Sequence, residues 1–241
     1  MTGHALSGPF APRHPRIAVS AASNRGATRT ENQDSVFFSI ERGLFAIADG
    51  VGGLPGGLRA SRTAISSLAD LEIASLGFMP KIEAVREGLI IANRALYERG
   101  QTAAPPTTCA TTIAAIVLEP SRGACIWAGD SRIYLLRRGR LQLLTTDHRT
   151  WIDTGTYPGG RAALTRAIGA EREVDLELRI FDFSNHDALL LCSDGVADVL
   201  SGDEMRNALQ NSTRAADTLV NAVRAKGGND DASALVIQYV G

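Results

Sequence analysis

Cysteine is scarce in this sequence, and its placement excludes two kinds of protein. Only three cysteines occur in 241 residues, at Cys109, Cys125 and Cys192. An odd number without paired spacing argues against a disulfide framework. None is followed by an arginine six positions later, as the phosphate-binding loop of a cysteine phosphatase would require. The sequence therefore predicts three small buried hydrophobic residues at these positions.

An excess of one charge and long apolar runs are also lacking. The formal net charge is −1, so no overall field attracts the chain to nucleic acid or to an anionic membrane. The longest apolar run, residues 112–118, is too short to cross a bilayer. Residues 1–16 have neither a basic start nor a continuous apolar stretch, and they are predicted to be a flexible arm and not a signal peptide. We therefore expect a cytoplasmic protein that binds neither nucleic acid nor membrane.

Acidic residues occur instead where apolar runs meet turns. Carboxylates at strand ends can converge in space, and they then repel one another unless protons or cations neutralise them. A hard divalent cation held by oxygen ligands is a common solution. Five short segments have this character: R-T-E-N-Q-D at 29–34, A-D-G-V-G-G at 48–53, A-G-D-S-R at 128–132, C-S-D-G at 192–195 and N-D-D-A-S at 229–233.

Asp49 gives the strongest local indication of such a site. An apolar run leads into it, and the Gly-rich segment from Gly50 onward lets backbone carbonyls approach a cation closely. Asp194 repeats this arrangement, and Asp130 and Asp230 stand in similar settings. Each position alone is typical of an ordinary turn. The residues by themselves therefore leave a metal site and a set of turns as alternatives.

Arg29 adds a group that is suited to phosphate. A guanidinium beside a metal cluster can hold phosphate oxygens through two parallel hydrogen bonds. The alternative is a surface ion pair with Glu31 or Asp34, which lie nearby in the sequence.

Predicted strands and helices come in blocks and do not alternate one by one. This order favours an α+β fold in which antiparallel sheets are covered by helices, within one domain at 17–241. A polar, Gly-rich surface loop is expected at 148–163, with a mobile part at 150–160. The predicted strands are 17–22, 35–40, 44–48, 111–118, 123–128, 132–137, 141–144, 174–181, 187–192 and 232–240, and the predicted helices are about 58–76, 80–100, a helix capped by Ser201, and 214–225.

The motifs, taken jointly and in order, resemble the metal-dependent serine/threonine protein phosphatases of the type 2C class, in their bacterial form. They cover residues 17–240 and are R-T-E-N-Q-D-S, D-G-V-G-G, A-T-T, G-D-S-R-I-Y, L-T-T-D-H, L-T-R-A-I-G, C-S-D-G-V and D-D-A-S. The resemblance implies two antiparallel β-sheets packed as a central sandwich and flanked by pairs of antiparallel α-helices. It also implies hydrolysis of phosphoserine and phosphothreonine in proteins.

The resemblance further implies a metal centre of two Mn²⁺ or Mg²⁺ ions. Asp49 matches the carboxylate that bridges the ions, and the carbonyl of Gly50 matches a further ligand. Asp194 and Asp230 match the other ligands of the first ion, while Asp130 together with Asp194 matches a weaker third site.

Arg29 matches the residue that binds the substrate phosphate, and Asp34 matches the one that orders metal-bound water. Two nearby cations lower the pKa of a shared water, so the hydroxide would attack phosphorus directly without a covalent enzyme intermediate. Gln33 replaces a glutamate of many relatives, which predicts weaker binding of the second ion. Val51 stands where eukaryotic members carry a histidine, so no protein general acid is expected.

Partners of this class are phosphorylated proteins, here with an opposing serine/threonine kinase and its substrates, and we expect a monomer. The alternative function is a phosphoprotein-binding pseudophosphatase with a regulatory role. Such a protein has usually lost at least one ligand, whereas Asp49, Asp194 and Asp230 are all present.

Overall fold

A computed structural model describes residues 17–51, 56–152 and 161–239 of the chain. The predicted flexible arm at 1–16 lies outside these residues. The strands are β1 Ile17–Asn24, β2 Asp34–Ser39, β3 Leu44–Asp49, β4 Ile113–Glu119, β5 Arg122–Ala128, β6 Arg132–Arg137, β7 Arg140–Leu143, β8 Arg149–Ile152, β9 Arg161–Leu164, β10 Glu177–Asp182, β11 Ala188–Cys192 and β12 Ala232–Tyr239. The helices are α1 Gly57–Ala69, α2 Phe78–Thr102, α3 Asp194–Ala197, α4 Gly202–Asn211 and α5 Ala215–Ala225.

Two five-stranded antiparallel sheets form the centre of the molecule. The first sheet has the order β1-β12-β11-β6-β7, and the second has the order β10-β5-β4-β3-β2. Short hairpins join β2 to β3, β4 to β5 and β6 to β7, as at the turn between β4 and β5, where Glu119 pairs with Arg122. The α+β prediction from the block order of the elements is confirmed.

Side chains alternate between the two faces of each sheet, as the period of two in a strand requires. Phe45 and Ile47 of β3 point into the layer between the sheets, where they meet side chains of the first sheet such as Leu191 and Leu235. The intervening Ala46 and Ala48 face the helices α1 and α2. Small residues on this outer face let the helices approach closely.

Helices cover both outer faces of the sandwich. Helices α1 and α2 pack on the second sheet through residues such as Leu68, Ile82 and Leu89. Helices α3, α4 and α5 cover the first sheet, with Leu219 and Val223 of α5 on Leu190 and Val236. Helix α4 begins with a capping box between Ser201 and Glu204, as the sequence predicts. The result is the four-layered arrangement that the resemblance implies.

Strand ends place the acidic segments at one end of the sandwich. In the second sheet, Asp34 at the start of β2 lies directly opposite Asp49 at the end of β3. In the first sheet, Asp194 follows the end of β11, and Asp230 and Asp130 precede β12 and β6. We call this set, with its carboxylates Asp34, Asp49, Asp130, Asp194 and Asp230, the acidic edge.

The first helix is shorter than predicted. It ends at Ala69, and Leu76, which was predicted to lie on its buried face, is 38% exposed. The chain leaves the helix at Asp70, and the segment that follows brings Ile73 into the core beside Phe78. Beyond Ala69, the position of Ile73 is therefore determined by its contacts in the core and not by the helical repeat.

The predicted surface loop at 148–163 contains secondary structure. Strands β8 and β9 pair at its two ends, with Thr150 opposite Ala163, so the prediction of a loop throughout is wrong there. His148, at its start, is buried. Residues 153–160, which include most of the predicted mobile part, lie outside the described residues.

The predicted burial of the three cysteines agrees with the structure. Cys109, Cys125 and Cys192 are all buried. Within the described ranges, no helix combines the length and the apolar character needed to cross a membrane.

Candidate functional site

Asp49 is held in place by the neighbouring strand β4 and the residues before it. Its backbone N–H donates to Thr112 Oγ1 at 3.1 Å, and its carbonyl accepts from the Thr112 N–H at 2.8 Å. The following Gly50 donates its N–H to the Gln33 carbonyl at 3.1 Å. These bonds leave the Asp49 carboxylate at the acidic edge with its backbone fixed on both sides.

Ser193 joins the two sheets at the acidic edge. Its hydroxyl donates to Asp34 Oδ2 at 3.0 Å and accepts from the Ser233 N–H at 3.0 Å. Asp34 belongs to the second sheet, whereas Ser193 and Ser233 belong to the ends of β11 and β12 in the first. One fully buried hydroxyl therefore sets the distance between Asp34 and the turn that carries Asp194.

Asp231 is a second organiser, and sequence reasoning missed it. Its carboxylate accepts the Gly26 N–H and the Gln33 N–H, each at 2.8 Å, and it is 3% exposed. It thereby attaches the loop before β2 to the turn before β12. The doubled aspartate in N-D-D-A-S was the available signal, because a second carboxylate beside a proposed ligand needs its own partners.

Two glycines make this attachment possible. A Cβ atom on Gly26 would lie 2.3 Å from the Asn229 carbonyl oxygen, and one on Gly195 would lie 2.0 Å from the Asp231 carbonyl oxygen. Both distances are far below van der Waals contact. The turn at 229–231 is thus packed between two backbone segments that carry no side chain.

Arg29 forms a two-point ion pair with Asp230. Its Nε donates to Oδ1 at 2.9 Å and its Nη2 to Oδ2 at 2.8 Å. The alternative partners considered from the sequence, Glu31 and Asp34, are not the ones it binds. The Arg29 side chain is 30% exposed, so solvent reaches it at the acidic edge with its fork already oriented.

Asp130 lies on the turn between β5 and β6, close enough to Asp194 for the charge of Asp194 to raise its pKa, after the larger effect of burial. Gly129, the residue before it, has φ +114° and forms two hydrogen bonds with His148. The His148 backbone N–H donates to the Gly129 carbonyl at 2.9 Å, and the Gly129 N–H donates to His148 Nδ1 at 3.1 Å. His148 Nε2 in turn lies 3.0 Å from Glu177 Oε1. Arg149 Nη1 is 3.9 Å from Asp130 Oδ2.

The carboxylates of the acidic edge resist ionisation in this arrangement. Burial raises the pKa of Asp34 to about 7, despite hydrogen bonds from Ser233 and Ser193 that lower it. Burial and the charge of Asp194 raise the pKa of Asp130 to about 7. Burial and nearby carboxylates also raise the pKa of Asp49 and of Asp194, which share a hydrogen bond with each other. Neutralisation is what this cluster requires.

Three buried side-chain oxygens have no hydrogen-bond partner among the described residues. They are Gln33 Oε1, Asp34 Oδ1 and Asp194 Oδ1, and all belong to the acidic edge or adjoin it. A buried oxygen without a donor is unfavourable. Carboxylate and amide oxygens that lack donors, in a cluster of mutually repelling carboxylates, fit the ligand preference of a hard divalent cation.

Among the described residues, the candidate ligand side chains do not surround a common point. In the described part of the chain, no group of three His, Cys, Asp or Glu side chains forms a ready metal-ligand set. Asp230 faces Arg29, and Asp49 and Asp194 are joined by their hydrogen bond. The ion pair with Arg29 provides part of the neutralisation that this cluster requires.

Every residue predicted for the site lies at this end of the sandwich. Arg29 and the acidic edge lie together with Gly50, and the structure adds the positioning residues Ser193, Ser233 and Asp231. The arrangement offers oxygen ligands for cations and a guanidinium fork for an oxyanion, which together are suited to the hydrolysis of a phosphate ester.

Comparison with known proteins gives one consistent family. The sequence model described as Protein phosphatase 2C matches residues 24–235. The serine/threonine protein phosphatase PstP of Mycobacterium tuberculosis is 32% identical over 240 residues, which cover 93% of this chain and 45% of PstP. The chain thus spans about half the length of that relative.

Solved structures agree with this family. PppA, described as a key regulatory component of T6SS in Pseudomonas aeruginosa, superposes with a TM-score of 0.86 at 27% identity, covering 94% of this chain and 99% of PppA. The catalytic domain of PstP in complex with two manganese ions gives a TM-score of 0.77 at 32% identity, covering 93% of this chain and 99% of that domain.

We expect Gly195→Ala to destabilise the protein by about 1–3 kcal/mol, because the new Cβ would displace the Asp231 carbonyl oxygen that lies 2.0 Å away. Denaturant unfolding measures the difference. Gly202→Ala is the matched control, since a Cβ on Gly202 meets no atom within 4 Å. Equal unfolding midpoints for the two variants would contradict the packing described for the turn at 229–231.

In the presence of a chelator, we expect the free energy of unfolding to fall as pH rises from about 4 to about 7. Asp34 and Asp130 titrate near pH 7 when folded but near 3.9 when unfolded. The folded state binds more protons over this range, so raising the pH favours the unfolded state. Urea unfolding at pH 5 and pH 7.5 tests this, and Asp34→Asn should reduce the slope. A free energy of unfolding that increases over the same range would contradict the raised pKa values of Asp34 and Asp130.

Proposed function

Because this chain belongs to the protein phosphatase 2C family, we propose that it is a metal-dependent phosphatase that hydrolyses phosphoserine and phosphothreonine in proteins. The observation that carries the proposal is the convergence of Arg29 and the acidic edge from both sheets. The complete acidic set argues against the alternative of a pseudophosphatase that binds phosphoproteins without turnover.

The acidic edge would hold the cations. We assign Asp49 as the bridging ligand, with the Gly50 carbonyl, Asp194 and Asp230 as further ligands of the pair of ions. The two manganese ions in the related PstP domain support Mn²⁺, and Mg²⁺ prefers the same oxygen ligands. When bound, such ions acidify water and neutralise charge on phosphate oxygens.

Asp34 and Gln33 would orient the attacking water. Ser193 occupies Asp34 Oδ2, so Oδ1 is left to accept a hydrogen bond, and Gln33 Oε1 is equally available. An acceptor fixed on two sides aligns a water for in-line attack with little loss of entropy. The amide of Gln33 brings no charge, which reduces the electrostatic attraction for the second cation.

Arg29 would bind the phosphoryl group. Its Nε and Nη2 groups donate to Asp230 in this structure. They would become available to phosphate if Asp230 served as a metal ligand instead. The fork geometry that fits a carboxylate also fits two phosphate oxygens. Substrate capture and metal loading are therefore coupled through Asp230.

Protonation of the leaving alkoxide is assigned to solvent. Val51 lies next to Gly50, where a histidine would be needed, and the side chain of His148 is engaged with Gly129 and Glu177. The proposal further includes phosphoproteins as substrates, an opposing serine/threonine kinase, and a monomer that acts in the cytoplasm. Hydrolysis of a phosphothreonine peptide with Mn²⁺, and its loss with chelator, is the direct test.

We expect Asp49→Asn to reduce turnover by about a thousandfold or more, because it removes the charge shared by the cations. Steady-state hydrolysis of p-nitrophenyl phosphate with saturating Mn²⁺ measures the loss. Asp70→Asn is the matched control, as it removes one exposed carboxylate at the end of α1. Near-normal activity of folded Asp49→Asn protein would refute the assignment of the bridging ligand.

We expect Arg29→Ala to lower kcat/KM for a phosphothreonine peptide by the equivalent of about 1.5–3 kcal/mol, since hydrogen bonds to charged groups contribute this much. Arg29→Lys keeps the charge but loses the fork, so an intermediate value is expected. If kcat/KM is unchanged in Arg29→Ala, the residue does not bind the phosphoryl group.

A further inference from the structure

Arg149 is a basic side chain that lies beside Asp130. It stands at the start of β8, within the segment that the sequence predicted to be a loop. Its Nη1 lies 3.9 Å from Asp130 Oδ2, and its side chain is 21% exposed. At such a distance in a partly buried site, the attraction between opposite unit charges is strong.

Two other carboxylates hold Arg149 in this position. Its Nη1 and Nη2 donate to the two oxygens of Asp198 at 2.8 and 3.2 Å, and its Nε lies 3.1 Å from Asp147 Oδ2. All three nitrogens of the guanidinium are thus in contact with carboxylates. A side chain held from two directions cannot turn away from Asp130 without breaking an ion pair.

Asp147 already has a partner of its own. Arg132 donates to it from Nε at 2.9 Å and from Nη2 at 2.7 Å. The two arginines and three carboxylates, Asp130, Asp147 and Asp198, therefore form one network, in which two guanidinium groups face three carboxyl groups. Arg149 therefore contributes positive charge beside Asp130 within this network.

We propose that the Arg149 guanidinium is a built-in positive charge beside Asp130 that takes the place of a third divalent cation. A cation that approached Asp130 would meet the repulsion of Arg149 and would have to displace it from Asp198. The centre then works with its pair of ions. This inference rests on the proposed metal-dependent phosphatase and specifies how many ions that centre holds.

Counting Mn²⁺ bound to the full chain tests the inference without reference to activity. Equilibrium dialysis with elemental analysis should give about two equivalents for the wild type up to millimolar Mn²⁺. Arg149→Ala should bind about one equivalent more, with an affinity at that site at least about tenfold above any in the wild type. Adding Asp130→Asn to Arg149→Ala should remove the extra equivalent.

Three further variants complete the experiment. Arg149→Lys keeps the charge and should bind as the wild type does. Arg94→Ala removes one exposed arginine of α2 and should leave the stoichiometry unchanged, which controls for net charge. Asp130→Asn in the otherwise wild-type chain should also leave about two equivalents, and this measurement does not depend on whether the Arg149 variants fold.

The outcomes separate this inference from the proposed function. A wild type that binds about three equivalents, one of them lost in Asp130→Asn, would overturn the role of Arg149 while the phosphatase proposal stands. The same conclusion holds if Arg149→Ala, folded by circular dichroism, binds no more Mn²⁺ than the wild type. A wild type that binds no Mn²⁺ and hydrolyses no phosphopeptide would overturn both.

Discussion

Mutual repulsion among buried carboxylates is the constraint around which this molecule is built. The strands of two sheets deliver Asp34, Asp49 and Asp194 to one end of the sandwich, where burial and proximity oppose their ionisation. Such an arrangement is unfavourable by itself, and the apolar layer between the sheets must offset it. Gln33 Oε1, Asp34 Oδ1 and Asp194 Oδ1 have no hydrogen-bond partner among the described residues, and a cation bound beside them would stabilise them.

Positioning depends on a few hydrogen bonds between the sheets. Ser193 links Asp34 to the ends of β11 and β12, and Asp231 links the loop of Arg29 to the turn before β12. None of these groups needs to contact the substrate. They determine the distances between the carboxylates of the acidic edge and Arg29, which is why small polar residues and glycines surround the acidic edge.

Much of this could be predicted from the sequence because it depends on local pattern. The apolar runs of β3 and β11 predict strands, and an aspartate after each run predicts the acidic edge. The structure adds what pattern cannot encode. Ile73 ends the first helix through a tertiary contact, Arg29 selects Asp230 from 201 residues away, and Arg149 occupies a segment whose composition is typical of a loop.

The pairing of β1 with β12 has a practical consequence for anything joined to this chain. Asn24 and Ala232 pair beside the acidic edge, whereas Ile17 and Tyr239 pair at the other end of the same two strands, roughly 24 Å away at the usual rise per residue. A tag, tether or fused domain attached next to either Ile17 or Tyr239 would emerge at the end of the sandwich opposite the acidic edge, leaving that edge accessible to a large binding partner.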